Sequence, residues 1–352
     1  MLEPQWGTPE SPDATPVKGG SGIKLLILAA VMVMLVGAAF VAPIPVFYAY
    51  LPGPVRDVER LVEVRDTRTY SSEGRLLLTT VSVDPQVTLS EVVQSAFDDS
   101  IAIVMKEDVT GGQSLDDLIE AQKEEMSQSK QAAQEVALAA LGLGEPTGDG
   151  ARVVQTIAEL PASGVLEEGD VIVGVEGQSV ETTCDVGREI GAYKPGEDLT
   201  IRVRRGGQIE TLQVGTVENP DDPDSAIIGV FMEDVNRRFE PGLEVGFDTG
   251  KIGGPSGGLM MTLALYDQLT PEDITGGRSV AGTGTIACDG GVGPIGGIEQ
   301  KVAGAEEAGA EIFLAPSDNV AAAQAVAKDI EVIEISSFDE AIRYLEGLPG
   351  SS

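Results

Sequence analysis

From Leu25 to Val55 the chain reads LLILAAVMVMLVGAAFVAPIPVFYAYLPGPV, and no charge interrupts it until Arg56. The part up to Ala42 with its uncharged continuation covers the roughly 20 residues that a bilayer-spanning helix requires. Tyr48 and Tyr50 fall where an interfacial aromatic belt would sit. The expectation is a single-pass anchor over 25–50, preceded by a disordered tail over 1–24 rich in Pro, Gly, Ser, Thr and Asp. A cleaved signal peptide is the competing reading. Against it, the apolar part exceeds an ordinary signal core, the preceding segment is long and weakly basic, and no Ala-x-Ala site precedes Pro43. Lys18 and Lys24 barely outweigh Arg56 and Arg60, so charge alone leaves the orientation open.

Composition removes several function classes. With 57 acidic and 23 basic residues the formal charge is −34, which disfavours nucleic acid because phosphate binding requires clustered Lys and Arg. The sequence has no histidine, so Ser-His-Asp and Cys-His catalysis, His-ligated zinc and imidazole proton shuttles are excluded. Cys184 and Cys288 fall in different predicted domains and read as inert packing residues, with neither a disulfide framework nor a thiolate metal site. No cofactor and no metal are expected.

Beyond the anchor, GRLLLTTVSV (74–83) has the β-branched, apolar character of a strand. LDDLIEAQKEEMSQSKQAAQEVALAALGL (115–143) fits one or two amphipathic helices through Leu115, Leu118, Ile119 and Gln122, then Met126, Ala133, Val136 and Ala140. The turn-rich GEPTGDG (144–150) closes it. Residues 145–217 read as a small, mainly-β module. ARVVQTI and DVIVGVEG are strand-like, and DLTIRVRRGGQIETLQV is a hairpin across Gly206-Gly207. ENPDDPDSA (218–226) reads as an acidic linker. From 225 to 348 strand-like and helix-like segments alternate, beginning with IIGVFM, which is an α/β pattern.

Two features in that last region carry chemistry. Ser256 lies in GGPSGGLMM, where flanking glycines permit a sharp turn and the start of a helix offers free backbone N–H groups to an oxyanion. A serine at a helix start is far more often a cap than a nucleophile. Lys301 follows the glycine-rich DGGVGPIGGIEQ and falls near the start of a helix, where the helix dipole disfavours its charged form. An isolated helical lysine is normally a solvated charge.

Taken in order, GGPSGGLMMTLALYDQLT, GRSVAGTGTI, DGGVGPIGGIEQK and GAEEAGAEIFLAPSDN resemble the proteolytic domain of the Lon family of serine proteases, which use a Ser-Lys dyad. TIAELPASGVLEEGDVIVGVEGQSV resembles the core of PDZ domains. Together these resemblances imply an α/β (α+β) Lon-type proteolytic domain with an inserted small, mainly-β PDZ-like domain and one N-terminal transmembrane helix. On this reading residues 55–143 form the first part of the proteolytic domain, 145–217 the insert and 225–348 the catalytic part. The arrangement resembles the membrane-anchored, PDZ-containing Lon-like proteases of bacteria.

Carried over by position, Ser256 is the nucleophile and Lys301 the base, with Thr283 supporting the lysine. The backbone of Gly254, Pro255 and Ser256 would form the oxyanion hole. Gly253 stands where many family members have an acidic residue, and Asp248 and Asp289 are the candidates to replace it. Leu259, Met260, Val292, Ile295 and Ile298 are the expected walls around the lysine. The insert implies a groove taking an extended peptide by strand addition, with Gly148-Asp149-Gly150 standing in for the usual carboxylate-binding loop. Protein or peptide substrates, a ring-like homo-oligomer, no nucleic acid and an extracytoplasmic catalytic domain complete the expectation. No GxxxxGK[ST] loop occurs, so ATP-independent cleavage of unfolded or membrane-proximal proteins is expected. The alternative is a catalytically inactive PDZ-type peptide-binding scaffold. A nucleotide-binding reading of the glycine-rich loops fails because neither phosphate-binding spacing is met.

Overall fold

The computed structural model describes residues 21–220, 222–250 and 252–350; most of the tail expected over 1–24 lies outside the described residues. Helix α1 (Ser21–Val41) opens the chain, and its side chains from Lys24 to Val41 are all exposed. The apolar run then changes structure. Pro43 and Pro45 cannot continue a helix, and β1 (Phe47–Pro52) begins inside the span expected for the anchor. Tyr48 is accordingly buried in a sheet and does not lie in a lipid-facing belt.

Strands β2 (Arg56–Asp57), β3 (Val62–Arg65), β4 (Arg75–Leu78) and β5 (Val81–Asp84) lead to the short helix α2 (Leu89–Gln94), then β6 (Ala102–Met105) and α3 (Lys106–Thr110). One antiparallel sheet has the order β5-β1-β6. Helix α4 (Leu115–Ala140) starts at Ser114, whose hydroxyl caps the Asp117 N–H at 3.2 Å. Only its second half, from Met126 through Ala133, Val136 and Leu138, enters the core, while residues 119–125 stay exposed.

The inserted unit is an antiparallel sheet of β7 (Ala151–Thr156), β8 (Val171–Val175), β9 (Gln178–Ser179), β10 (Asp198–Arg205) and β11 (Gln208–Gly215), with α5 (Thr183–Gly191) beside it. Its hairpin turns at Gly206 and Gly207, both at positive φ as such two-residue loops require. The sheet extends past the boundary expected at 217. The stretch expected as a linker forms β12 (Val217–Asn219) and β13 (Asp222–Ile227), which pair with each other. IIGVFM, expected to open the catalytic part, instead supplies β14 (Val230–Asp234), the edge strand paired with β7. Proline and acidic residues resemble a linker locally, but β14 gains its place from a partner some 80 positions earlier.

The proteolytic part resumes at β15 (Glu244–Phe247), which pairs with β3. It continues through α6 (Gly258–Leu269), β16 (Ser279–Gly282), β17 (Thr285–Ile286), β18 (Val292–Gly293), α7 (Ile298–Glu307), β19 (Ile312–Pro316), α8 (Ser317–Val326), β20 (Glu331–Ile335) and α9 (Phe338–Glu346). The central sheet has the order β2-β4-β16-β19-β20, parallel except for β2. Strand β4 comes from before the insert and β16 from after it. Leu76 and Leu78 of β4 share one core with Met126 and Leu138 of α4 and with Leu259 and Met260 of α6. Both halves of the chain are therefore required for one hydrophobic core.

The cysteines correct the reading as inert packing residues: Cys184, at the start of α5, and Cys288, in the β17–β18 turn, form a disulfide with Cα atoms 6.0 Å apart. Their separation of 104 residues hid the proximity, because sequence distance says nothing about contacts made across an insertion. Closing a loop of that length restricts the unfolded chain, so C184S/C288S is expected to lose about 2–5 kcal/mol of stability. Chemical denaturation of the oxidised protein beside the double variant measures this.

Candidate active site

The turn that carries Ser256 is set by its neighbours. Gly254 sits at φ +80°, a conformation a side chain would strain, and Pro255 opens a single 3₁₀ turn (Pro255–Gly257) running into α6. The turn is held from two sides, by α4 and by the residues that follow β16. The Gly254 N–H donates to Gln122 O of α4 (3.1 Å), and the Ser129 hydroxyl donates to Pro255 O (3.0 Å). The Gly284 N–H (2.9 Å) and the Thr283 hydroxyl (3.0 Å) both donate to Ser256 O. Ser256 is half-buried, and among the described residues its hydroxyl has no hydrogen-bond partner.

Lys301 is the fourth residue of α7, which begins after Gly297 at φ +69°. The side chain is 3% exposed, and Nζ donates to Thr283 Oγ1 at 3.0 Å. Thr283, fully buried at the end of β16, thus joins the lysine to the backbone of Ser256. Burial pushes the Lys301 amine down to about 8. Desolvation of the buried ammonium is the cause of that shift.

Ser256 and Lys301 line one cleft of about 630 Å³, together with Tyr50, Leu78, Thr79 and Val81 from the N-terminal part, Gln122 and Glu125 from α4, and Ile252 and Ile295. Of the apolar residues expected around the lysine, Ile295 also lines this cleft. Leu259, Met260 and Ile298 are buried in the cores behind it, and Val292 packs against the main core. Much of the cleft's remaining wall comes from strands nearly 200 residues earlier, and GRLLLTTVSV was the sequence signal for one part of it.

Two further expectations change. The Gly254 N–H is already bonded to Gln122, and proline has no N–H. Of the three residues expected to form an oxyanion hole, Ser256 alone retains an available donor. Asp248 and Asp289 do not reach the cleft; they accept from Gly250 N (3.2 Å) and Gly291 N (2.9 Å) in their own turns. Beside Gly253, a Cβ would meet Gln122 Oε1 at 3.5 Å, so α4 supplies the polar group next to that position.

In the inserted unit Gly148-Asp149-Gly150 is already engaged. Its Asp149 N–H donates to Val235 O (2.8 Å) and its Gly150 N–H to Glu181 O (2.9 Å). Strand β14 instead has the open edge of this sheet, and α5 is joined to its last residue by the Thr183 N–H donating to Asp234 Oδ1 at 2.6 Å. At the other end of β14, Gly229 is at φ +80°, and among the described residues the Ile228 and Gly229 N–H groups have no partner. A glycine between β-branched residues just ahead of a strand was the signal available.

Residues 248–345 match the family described as the Lon protease (S16) C-terminal proteolytic domain, and residues 114–216 match PDZ domains. The chain carries a Lon-type proteolytic domain and a PDZ domain. A Lon protease of Chloroflexus aggregans (strain MD-66 / DSM 9485) is 30% identical over 209 residues, covering 53% of this chain and 25% of that protein. Lon protease 1 of Bacillus subtilis (strain 168) is 42% identical over 80 residues, 23% of this chain and 9% of that one. A probable periplasmic serine endoprotease DegP-like of Pseudomonas fulva (strain 12-X) is 37% identical over 87 residues, 24% of this chain and 18% of that one. The chain thus spans a quarter or less of the length of these relatives.

The buried lysine of this Lon-type domain makes stability depend on pH. In the folded state Lys301 loses its proton near pH 8, and in the unfolded chain near the ordinary 10.5. Between those values the unfolded chain binds more protons, so stability rises with pH. Lys301→Met should abolish that rise and exceed the wild type below about pH 8 by up to about 3 kcal/mol. Denaturation in detergent across this range tests it.

Proposed function

We propose that this chain is a membrane-anchored serine endopeptidase that cleaves unfolded or membrane-proximal proteins through a Ser256-Lys301 dyad, without ATP. The observation that carries the reading is a buried, charge-unpaired lysine opening with Ser256 into one cleft. A lysine at its ordinary value is neutral in about one molecule in 2,500 at pH 7; lowered to about 8, it is neutral in about one in ten.

The neutral amine removes the Ser256 proton as the oxygen attacks the substrate carbonyl, and the Ser256 N–H stabilises the resulting oxyanion. The Lys301 ammonium then protonates the leaving amine, and water releases the acyl group by the same proton route. Thr283 holds Nζ in position. Because the Ser256 hydroxyl is unbonded, it is free to turn toward the amine when substrate enters.

Two observations support the setting. Lys24–Val41 is long and apolar enough to cross a membrane, and none of it is buried. The Cys184–Cys288 disulfide suits an oxidising, extracytoplasmic compartment. The open edge of β14, with the free N–H groups at 228 and 229, takes an extended peptide ending in a carboxylate by strand addition. ATP independence rests on the lack of a P-loop spacing in the sequence.

The test is cleavage of an unfolded protein such as casein, without nucleotide, by the full chain in detergent. Activity should rise with an inflection near pH 8, and Ser256→Ala and Lys301→Ala should each lose about 10²–10⁴-fold. Equal activity in all three proteins overturns the dyad and favours a peptide-binding scaffold. Strict dependence on ATP refutes the nucleotide-free mode.

A further inference from the structure

The folded domain carries a cluster of exposed apolar side chains where α1 enters it. Phe97 is 89% exposed, Val46 57%, Met105 49% and Val93 44%. Exposed apolar residues scattered singly require no explanation, but a contiguous patch does. Several bonds bring these four to one place. Just past the end of α1, Pro43 pairs with Thr88 and the Ile44 N–H donates to Val87 O at 2.6 Å. The turn leading into α2 is thereby fixed at the foot of α1, and α2 packs against α1. Val93 belongs to α2 and Phe97 follows it.

Phe47 faces Met105 in the β1–β6 register, and the Lys106 N–H donates to Val46 O at 3.0 Å. Val46 and Met105 thus occupy the same end of the sheet. Lys106 Nζ lies 4.8 Å over the Tyr48 ring and donates to Pro85 O at 3.1 Å.

We infer that Val46, Val93, Phe97 and Met105 dip into the bilayer interface beside α1 and hold the proteolytic domain against the lipid surface. The occupant follows from continuity: the patch surrounds the base of an apolar, wholly exposed helix, so lipid already lies next to it once α1 is inserted. The inference rests on the proposed anchor. Asp98 and Asp99 directly follow Phe97 and limit the depth, keeping contact at the headgroup–acyl boundary. This fixes where the cleft opens. Tyr50 and Val83, which face each other across β1 and β5, line the cleft, and Tyr50 is three residues along β1 from Phe47. Three residues of strand span about 10 Å, so the cleft mouth lies close to the bilayer, where segments of membrane proteins emerge.

The experiment uses the full chain with Trp6→Phe and Phe97→Trp, leaving one tryptophan at 97, reconstituted in phosphatidylcholine vesicles. Phe97 makes so little contact that the exchange should not disturb folding. The expected result is co-flotation with the vesicles, blue-shifted emission, and quenching by lipids brominated high on the acyl chain but not by aqueous iodide. Co-flotation with quenching by iodide alone overturns this inference and leaves the anchor intact. Failure to float overturns both. Blue-shifted emission that lipid bromine does not quench and that grows with protein concentration assigns the patch to a second copy and also overturns it. In addition, V93S/F97S should lower cleavage of a vesicle-embedded substrate several-fold with soluble casein unaffected; an equal loss on both substrates overturns the positioning role.

Discussion

The candidate site depends on keeping one ammonium-bearing side chain out of water. Lysine is almost never buried unless paired with an opposite charge, yet Lys301 is buried with its hydrogen bond going to a threonine and not to a carboxylate. Removing it from water destabilises the charged form, which is the property a base requires. The surrounding structure offsets this cost. Strand β16, at the centre of the parallel sheet, delivers Thr283; α6 follows the Ser256 turn, and α7 carries the lysine back over it. Gly282 has no Cβ because Met260 Sδ and Leu314 already stand within 2.7 and 3.0 Å of where it would be. The close fit that buries the lysine is thus produced by the packing of strand against helix.

The PDZ domain is tied to this site more tightly than an insertion on flexible linkers would be. Its chain leaves the proteolytic domain after α4 and returns at β15, and these two elements are themselves joined by Lys130 Nζ donating to Phe247 O at 3.0 Å. Arg237, just beyond β14, pairs with the buried Glu135 of α4 and with Asp234. The disulfide adds a covalent tie from α5, the helix joined to edge strand β14, to the β17–β18 turn. Since α4 also holds Gly254 through the Gln122 carbonyl, the element that anchors the insert touches the turn bearing Ser256.

Much was legible wherever a short segment carried its own instructions. The glycine-proline turn before Ser256, the Gly206-Gly207 hairpin and the amphipathic helix from Leu115 are local features, whereas the link between Thr283 and Lys301 was implied by the family resemblance. What misled were segments whose state is decided by a distant partner. Residues 218–226 resemble a linker, and IIGVFM resembles the first strand of the catalytic part, until β12 pairs with β13 and β14 with β7. The uncharged run past Pro43 resembles a membrane span until β5 and β6 claim β1. Cys184 and Cys288 look unrelated until the insert folds back on the catalytic part.

The sequence by itself determined the chemistry on offer: no imidazole, a serine in a glycine-rich turn, a lysine after a second such turn, and an apolar helix long enough to cross a bilayer. Only the tertiary structure decided how that chemistry is arranged. It showed that the lysine is buried and its charged form thereby disfavoured, that Gln122 and not an aspartate stands beside Gly253, that the Gly254 N–H is already engaged, and that strands from the far end of the chain help to wall the cleft. The physical reason is that turn and helix preferences are properties of neighbouring residues, whereas desolvation, strand pairing and disulfide proximity are set by residues that meet only when the chain has folded.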